Sequence, residues 1–119
     1  MAASHLLGIR AERLAADLLV RSGWQILARN WRFGHKEIDL IARRGRIVAF
    51  VEVKCRSGGR YGSPMEAVTW GKRRDLGCAA AGWVARHGTR SDEFRFDLIA
   101  VTGPAGQPEI THFEDAWRL

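Results

Sequence analysis

Residues 37–54 read EIDLIARRGRIVAFVEVK and include the most strongly β-prone segment of the chain. Apolar and β-branched residues dominate both of its halves, and Arg44-Gly45 between them is typical of a tight turn, so the stretch predicts a β-hairpin. Successive residues of a strand point to opposite faces. In the second half, one face carries Ile47, Ala49, Val51 and Val53, and the other carries Val48, Phe50, Glu52 and Lys54. Both faces are apolar as far as Val51, which predicts a central strand covered on both sides.

The rest of the chain predicts elements that surround this hairpin. Apolar residues at helical spacing predict one helix over residues 5–22 and a second from Ser63-Pro64 to about His87. Strand patterns cover residues 24–30, 37–43, 46–54 and 94–101, and a last edge strand is expected at 110–113. This order predicts an α/β fold, a three-layer-type sandwich with a central mixed β-sheet flanked by helices. We expect a single domain over residues 1–119.

The charge of the chain favours a polyanionic partner. The net charge is +6 and the sequence pI is about 10.3. Clustered Lys and Arg gain free energy by releasing the counterions of phosphates.

The cysteines indicate a cytoplasmic protein. Cys55 and Cys78 lack the spacing of a disulfide scaffold, which indicates reduced thiols. No apolar run approaches the roughly 20 residues that span a bilayer, so no membrane partner is expected. The histidines have no zinc-site spacing, and the tryptophans suit core or dimer contacts better than base stacking.

Four charged residues break their local patterns and are candidates for a catalytic site. Asp39 lies inside an apolar strand, and Glu12 flanks the apolar side of the first helix. Glu52 and Lys54 share one face of the central strand. Carboxylates are costly to bury unless they are paired or bind a metal. Two carboxylates holding Mg²⁺, or Mn²⁺ in its place, with a lysine beside them form a site that can hydrolyse a phosphodiester. The alternative is structural: salt bridges of Glu52 with Lys54 and of Asp39 with a nearby arginine.

A series of motifs runs along most of the chain. They are ExxA at 12–15, NWR at 30–32, EIDLIA at 37–42, FVEVKxR at 50–56, YGSPxEAV at 61–68, Lys72, and RFDLIAV at 95–101. In order and spacing they resemble the YraN-like family of uncharacterised bacterial proteins. That family is similar to archaeal Holliday-junction resolvases and, more broadly, to the restriction-endonuclease-like PD-(D/E)xK nucleases. The resemblance implies that fold and a Mg²⁺-dependent endonuclease acting on DNA rather than RNA, including branched DNA. By analogy, symmetric cutting of a junction favours a homodimer.

The resemblance also implies roles for individual residues. Asp39, Glu52 and Lys54 match the two acids and the lysine of the nuclease motif. Glu12 looks like a helix glutamate that joins the metal site, and the backbone carbonyl of Val53 is an expected further ligand. Contacts to nucleic acid are expected from Lys72, Arg56, Arg60 and Tyr61.

Two residues depart from the family motifs, and other interpretations of the same residues are possible. Ile38 stands where the broad motif has a proline, and Lys36 stands where the family usually has a glycine. Lys72 could instead cover apolar surface with its stem. The same residues are compatible with a nucleic-acid-binding protein that keeps the fold without catalysis, or with a structural or partner-binding protein.

Overall fold

The computed structural model describes residues 2–56, 64–104 and 106–119, and within them five strands form one mixed sheet with a helix on each face. The elements are α1 (Ala2–Arg21), β1 (Gln25–Phe33), β2 (Lys36–Arg44), β3 (Ile47–Arg56), a 3-10 helix (Pro64–Ala67), α2 (Trp70–His87), β4 (Glu93–Thr102) and β5 (Glu109–Trp117). The strands lie in the order β1-β2-β3-β4-β5. β3 and β4 are parallel, and the other neighbours are antiparallel. The predicted α/β sandwich is confirmed.

The hairpin at the centre of the sheet is formed by β2 and β3. Arg44 pairs with Ile47, so the turn consists of Gly45 and Arg46, one residue later than expected. Gly45 has a φ of +61°, a left-handed conformation that glycine adopts without the steric cost of a Cβ. The chain then crosses through α2 to reach β4 in parallel, because a parallel connection needs a crossover long enough to return to the same edge.

Two hydrophobic clusters hold the helices against the sheet. Val48 and Phe50 of β3 pack with Leu76 and Trp83 of α2 in the first cluster. Ala49 and Val51 of β3 pack with Ala15 and Leu19 of α1 in the second cluster. The alternation predicted for the central strand is therefore confirmed, and both faces of β3 are covered.

The α-helix of the second half begins later than predicted. Residues 64–67 form a 3-10 helix, and α2 starts only at Trp70. Thr69 has an extended backbone (φ −66°, ψ 163°), which interrupts helical geometry, and its side chain accepts a hydrogen bond from the backbone N–H of Lys72. A threonine at this position is a favourable N-cap. The predicted cap, Ser63, lies outside the described residues.

The edge strands are longer than their sequence patterns indicated. β1 continues to Phe33 before a turn at Gly34 and His35, although the strand pattern covered only residues 24–30. β5 covers Glu109–Trp117 rather than 110–113 alone. Pairing with a neighbouring strand can extend an edge strand beyond its local propensity. Within the described ranges, the helices are not long and apolar enough to cross a membrane.

Candidate metal and nucleic-acid site

The carboxylate of Asp39 lies where the β2–β3 ladder ends. The last residue pair of that ladder is Leu40 with Val51. Ile38 packs in the cluster under α2 and Leu40 in the cluster under α1, so strict alternation of side chains breaks between them, at Asp39. Asp39 Oδ2 accepts a hydrogen bond of 2.8 Å from the backbone N–H of Val53. Where backbone pairing between the two strands stops, the side chain of Asp39 replaces a backbone acceptor. Its carboxyl group is thereby held beside β3.

Glu52 is the buried acid of the site. It is 4% exposed and lies on the α2 face of β3, where Lys72 approaches it. Burial, followed by a hydrogen bond and the negative charge of Asp39, raises the pKa of Glu52 to about 8, against the opposing charges of Lys72 and Lys54. Glu52 therefore retains its proton at neutral pH, because burial and a nearby like charge both disfavour the ionised carboxylate.

Glu12 reaches the same place from α1. Burial, together with the nearby charge of Asp39, raises its pKa, and a hydrogen bond from Asn30 opposes the rise. Its position on the flank of the apolar stripe therefore brings a carboxyl group of α1 near Asp39 of β2 and Asn30 of β1.

Asn30 is the residue of this cluster that the sequence did not single out, although it belongs to the NWR motif. With the amide nitrogen turned toward acceptors, it donates to Glu37 Oε1 at 3.0 Å and to the two Glu12 oxygens at 3.1 and 3.2 Å. Its φ is +48°. Asparagine tolerates this left-handed conformation better than most residues, and an outlier of this kind at a polar cluster is typical of functional sites. An asparagine within a predicted strand was the sequence feature that could have identified this residue.

The basic partner of Glu52 comes from α2. Lys72 Nζ lies 3.4 Å from Glu52 Oε2. The structural alternative expected a Glu52–Lys54 pair, and for the ion pair of Glu52 that expectation is wrong. Lys54 is half-buried on the same strand, and its charge acts on Glu52 only as the smaller of two lysine effects. The long crossover decides which lysine pairs, because it positions the first turn of α2 over the end of β3.

The remaining predicted contacts to nucleic acid fall into two groups. Arg56 is the last residue of β3, two positions beyond Lys54. Arg60 and Tyr61 lie outside the described residues. The structure thus brings together Glu12, Asp39, Glu52 and Lys72 from four different elements, with Lys54 and the backbone of Val53 beside them.

The donor set fits a hard divalent cation. Carboxylate oxygens are the ligands that Mg²⁺ prefers, and it is commonly held by one or two of them together with waters and substrate phosphate. Among the described residues, no three His, Cys, Asp or Glu side chains stand ready to hold a metal ion, although the carboxyl groups of Asp39 and Glu52 lie near each other. Within the same part of the chain, Glu52 Oε2 is buried without a hydrogen bond, since the nearby ammonium of Lys72 makes only an ion pair. A cation would satisfy this oxygen.

A second buried acid, Asp97, belongs to a separate network on the α1 face of the sheet. His112 Nε2 lies 2.7 Å from Asp97 Oδ2, and Arg95 Nη2 donates to the same oxygen at 3.1 Å. The backbone N–H of Asp115 donates to Oδ1 at 2.9 Å. These bonds join β4 to β5 where their register shifts. Asp97 is thus accounted for by structural contacts.

Known proteins resemble this chain along almost its whole length. The model of the uncharacterised protein family UPF0102 matches residues 11–101. A UPF0102 protein of Rhodococcus jostii is 44% identical over 118 residues, which cover 98% of this chain and 100% of that protein. A UPF0102 protein of Symbiobacterium thermophilum is 48% identical over 115 residues, covering 96% and 98%. One of Geobacter sulfurreducens is 42% identical over 118 residues, covering 98% and 91%.

Proposed function

The chain belongs to the uncharacterised protein family UPF0102, the YraN-like proteins, and from its acidic site we propose that it is a Mg²⁺-dependent endonuclease that hydrolyses phosphodiester bonds of DNA. One observation carries the proposal: Asp39 and Glu52 lie together at the end of the central hairpin, where the buried Glu52 has a raised pKa and forms an ion pair with Lys72. A buried acid with a strongly raised pKa beside cations is characteristic of a functional site.

The site residues divide the work of hydrolysis. Asp39, Glu52 and the carbonyl of Val53 would hold the Mg²⁺, or Mn²⁺ in its place, and Glu12 would complete the acidic set. The bound cation would supply positive charge at the scissile phosphate and lower the pKa of a water. Lys54 would orient the attacking water or neutralise the phosphate. Asn30 holds Glu12 in position by donating to both of its oxygens.

The substrate class rests on charge and on the resemblance. A net charge of +6 favours a polyanion, and a divalent cation at a carboxylate–lysine site suits phosphodiester chemistry. The sandwich of one helix on each face of a mixed sheet is compatible with the restriction-endonuclease-like fold. DNA rather than RNA, branched DNA among its forms, and a homodimeric enzyme follow from the similarity to resolvases. The free thiols of Cys55 and Cys78 suit a reducing compartment, so we place the protein in the bacterial cytoplasm.

Strand scission tests the proposal. The wild-type protein is incubated with labelled single-stranded, duplex and four-way-junction DNA in Mg²⁺, in Mn²⁺ and in EDTA. Cleavage is expected with either metal and not in EDTA, and Glu52→Gln and Lys54→Met should each lower the rate by at least about 100-fold. Glu109→Gln, which changes an exposed acid of β5, is the matched control and should cleave at the wild-type rate.

The variants also separate this function from its alternatives. Salt-sensitive DNA binding without metal-dependent cleavage would make the protein a non-catalytic nucleic-acid-binding protein. Cleavage that persists unchanged in Glu52→Gln would point to a contaminating nuclease and remove the support for this site.

A further inference from the structure

Trp70 lies outside the core. It is the first residue of α2 and is 70% exposed, whereas Trp24, Trp83 and Trp117 are buried. Tryptophan is enriched at binding interfaces, because its ring is apolar and its N–H is polar. Trp70 is therefore available to a partner outside its own fold.

The indole of Trp70 is held in place by an arginine. The Arg73 guanidinium carbon lies 5.4 Å from the ring centroid of Trp70 and 5.6 Å from that of the buried Trp117. Arg73 Nε also donates to the backbone carbonyl of Val68 at 3.0 Å. Arg73 is thereby fixed between two rings, and it steadies Trp70 from the protein side. A side chain held in this way loses little further conformational freedom when it binds a partner.

The exposed side of α2 around Trp70 is basic. Arg74 lies one helical turn beyond Trp70 on that side. Lys72 projects from the opposite side of the same turn, where it contacts Glu52, so the first turn of α2 lies between Trp70 and the acidic site. A partner that crosses the N-terminal end of α2 therefore meets an aromatic ring beside cations. Unpaired nucleobases on a phosphate backbone match both features, since bases stack on aromatic rings while cations attract the phosphates.

We infer that Trp70 stacks against an unpaired base of the bound nucleic acid, so that the preferred substrate is DNA with single-stranded character, such as a flap or an open junction arm. The inference rests on the proposed function for DNA as the partner. Bases within continuous duplex are already stacked on their neighbours, and presenting one to Trp70 would require it to be unstacked at a cost of a few kcal/mol. Trp70 thus discriminates between DNA structures rather than between sequences.

The test measures DNA binding in EDTA, so that it does not depend on cleavage. Fluorescence anisotropy compares a labelled single strand with a duplex of the same sequence. Trp70→Ala should weaken single-strand binding by about 5- to 100-fold, in line with the 1–3 kcal/mol of a base–aromatic stack, and change duplex binding by less than about twofold. Trp70→Phe should keep most of the preference. Phe94→Ala removes another exposed aromatic ring, at the start of β4, and should leave the ratio of the two affinities unchanged.

Each other result overturns the inference in a recognisable way. Equal losses for single strand and duplex, or no loss, would remove Trp70 as a base-stacking residue. A wild-type dimer that dissociates in Trp70→Ala during sedimentation, with the affinity ratio unchanged, would make Trp70 a subunit contact. Metal-dependent cleavage with the same structure preference in Trp70→Ala would overturn this inference and leave the nuclease intact. Selective single-strand binding through Trp70 without cleavage would support this inference and overturn the proposed nuclease.

Discussion

The carboxylate of Asp39 accepts a 2.8 Å hydrogen bond from the backbone N–H of Val53 across the end of the β2–β3 ladder. The same carboxyl group thus has two tasks, because its charge also helps to raise the pKa of Glu52. The hydrogen bond fixes the separation of the two strands at the point where their backbones no longer pair. The acidic site is therefore part of the sheet's own architecture rather than an addition on a loop.

Two substitutions at Asp39 separate these tasks. Asp39→Asn keeps an oxygen that can accept from Val53, whereas Asp39→Ala leaves that N–H without its acceptor. We expect the alanine variant to be less stable than the asparagine variant by about 1–3 kcal/mol in urea denaturation, the cost of an unsatisfied buried donor. Both variants should lose cleavage. Equal stabilities would mean that the hydrogen bond has no structural role.

Glu52 makes stability depend on pH. Its pKa in the folded protein is about 8 and its ordinary value is 4.5, so between these values the unfolded chain has lost a proton that the folded chain retains. Stability therefore falls as the pH rises through this window and levels off above about pH 8. Glu52→Gln should remove this decline and be more stable than wild type at about pH 8.5 by a few kcal/mol at most.

Urea denaturation at a series of pH values measures the effect of Glu52. Glu109→Gln, an exposed strand acid, serves as the control and should follow the wild-type pH profile. A Glu52→Gln protein that is less stable than wild type at every pH would contradict the raised pKa.

The left-handed backbone of Asn30 predicts that glycine is more stabilising than alanine at this position, the reverse of the usual order in a strand. Asn30→Ala should be less stable than Asn30→Gly by about 1 kcal/mol, because a Cβ is strained at a φ of +48°. Gln25 is an exposed residue of the same strand and is not among the described residues with positive φ. There the order should reverse, with alanine the more stable. Thermal denaturation of the four variants measures both differences, and the same order at both positions would rule out strain at Asn30.

The Asp97 network predicts a loss of stability that is separable from activity. Asp97→Ala should destabilise the protein by about 3–5 kcal/mol, because Arg95 and His112 would lose the acid buried between them. Glu114→Gln changes an exposed partner of Arg95 and should cost less than about 1 kcal/mol. Well below its unfolding temperature, Asp97→Ala should still cleave DNA. A folded Asp97→Ala protein that binds DNA but does not cut it would assign this network to catalysis.

The sequence predicted those features that depend on local pattern. Alternation along β3 correctly located Glu52 beyond the apolar part of one face, and the helical stripe correctly located Glu12 on the flank of α1. Features that depend on long-range packing escaped prediction. The pairing of Glu52 with Lys72 instead of Lys54 depends on where the crossover positions the first turn of α2 relative to β3. The break of alternation at Asp39 and the backbone of Asn30 depend on how two strands separate, which residue types alone do not determine.

We expect a divalent cation to displace the proton that Glu52 retains beside Asp39, which would leave the carboxylate free to hold the cation. Single-turnover cleavage of a four-way junction tests this exchange, with the rate measured from about pH 6 to pH 9 at two Mg²⁺ concentrations. The rate should rise with pH and level off, and the midpoint should move to lower pH at the higher Mg²⁺ concentration, because metal and proton compete for the same oxygens. A midpoint that does not depend on the Mg²⁺ concentration, or no cleavage at any pH, would contradict the proposed site.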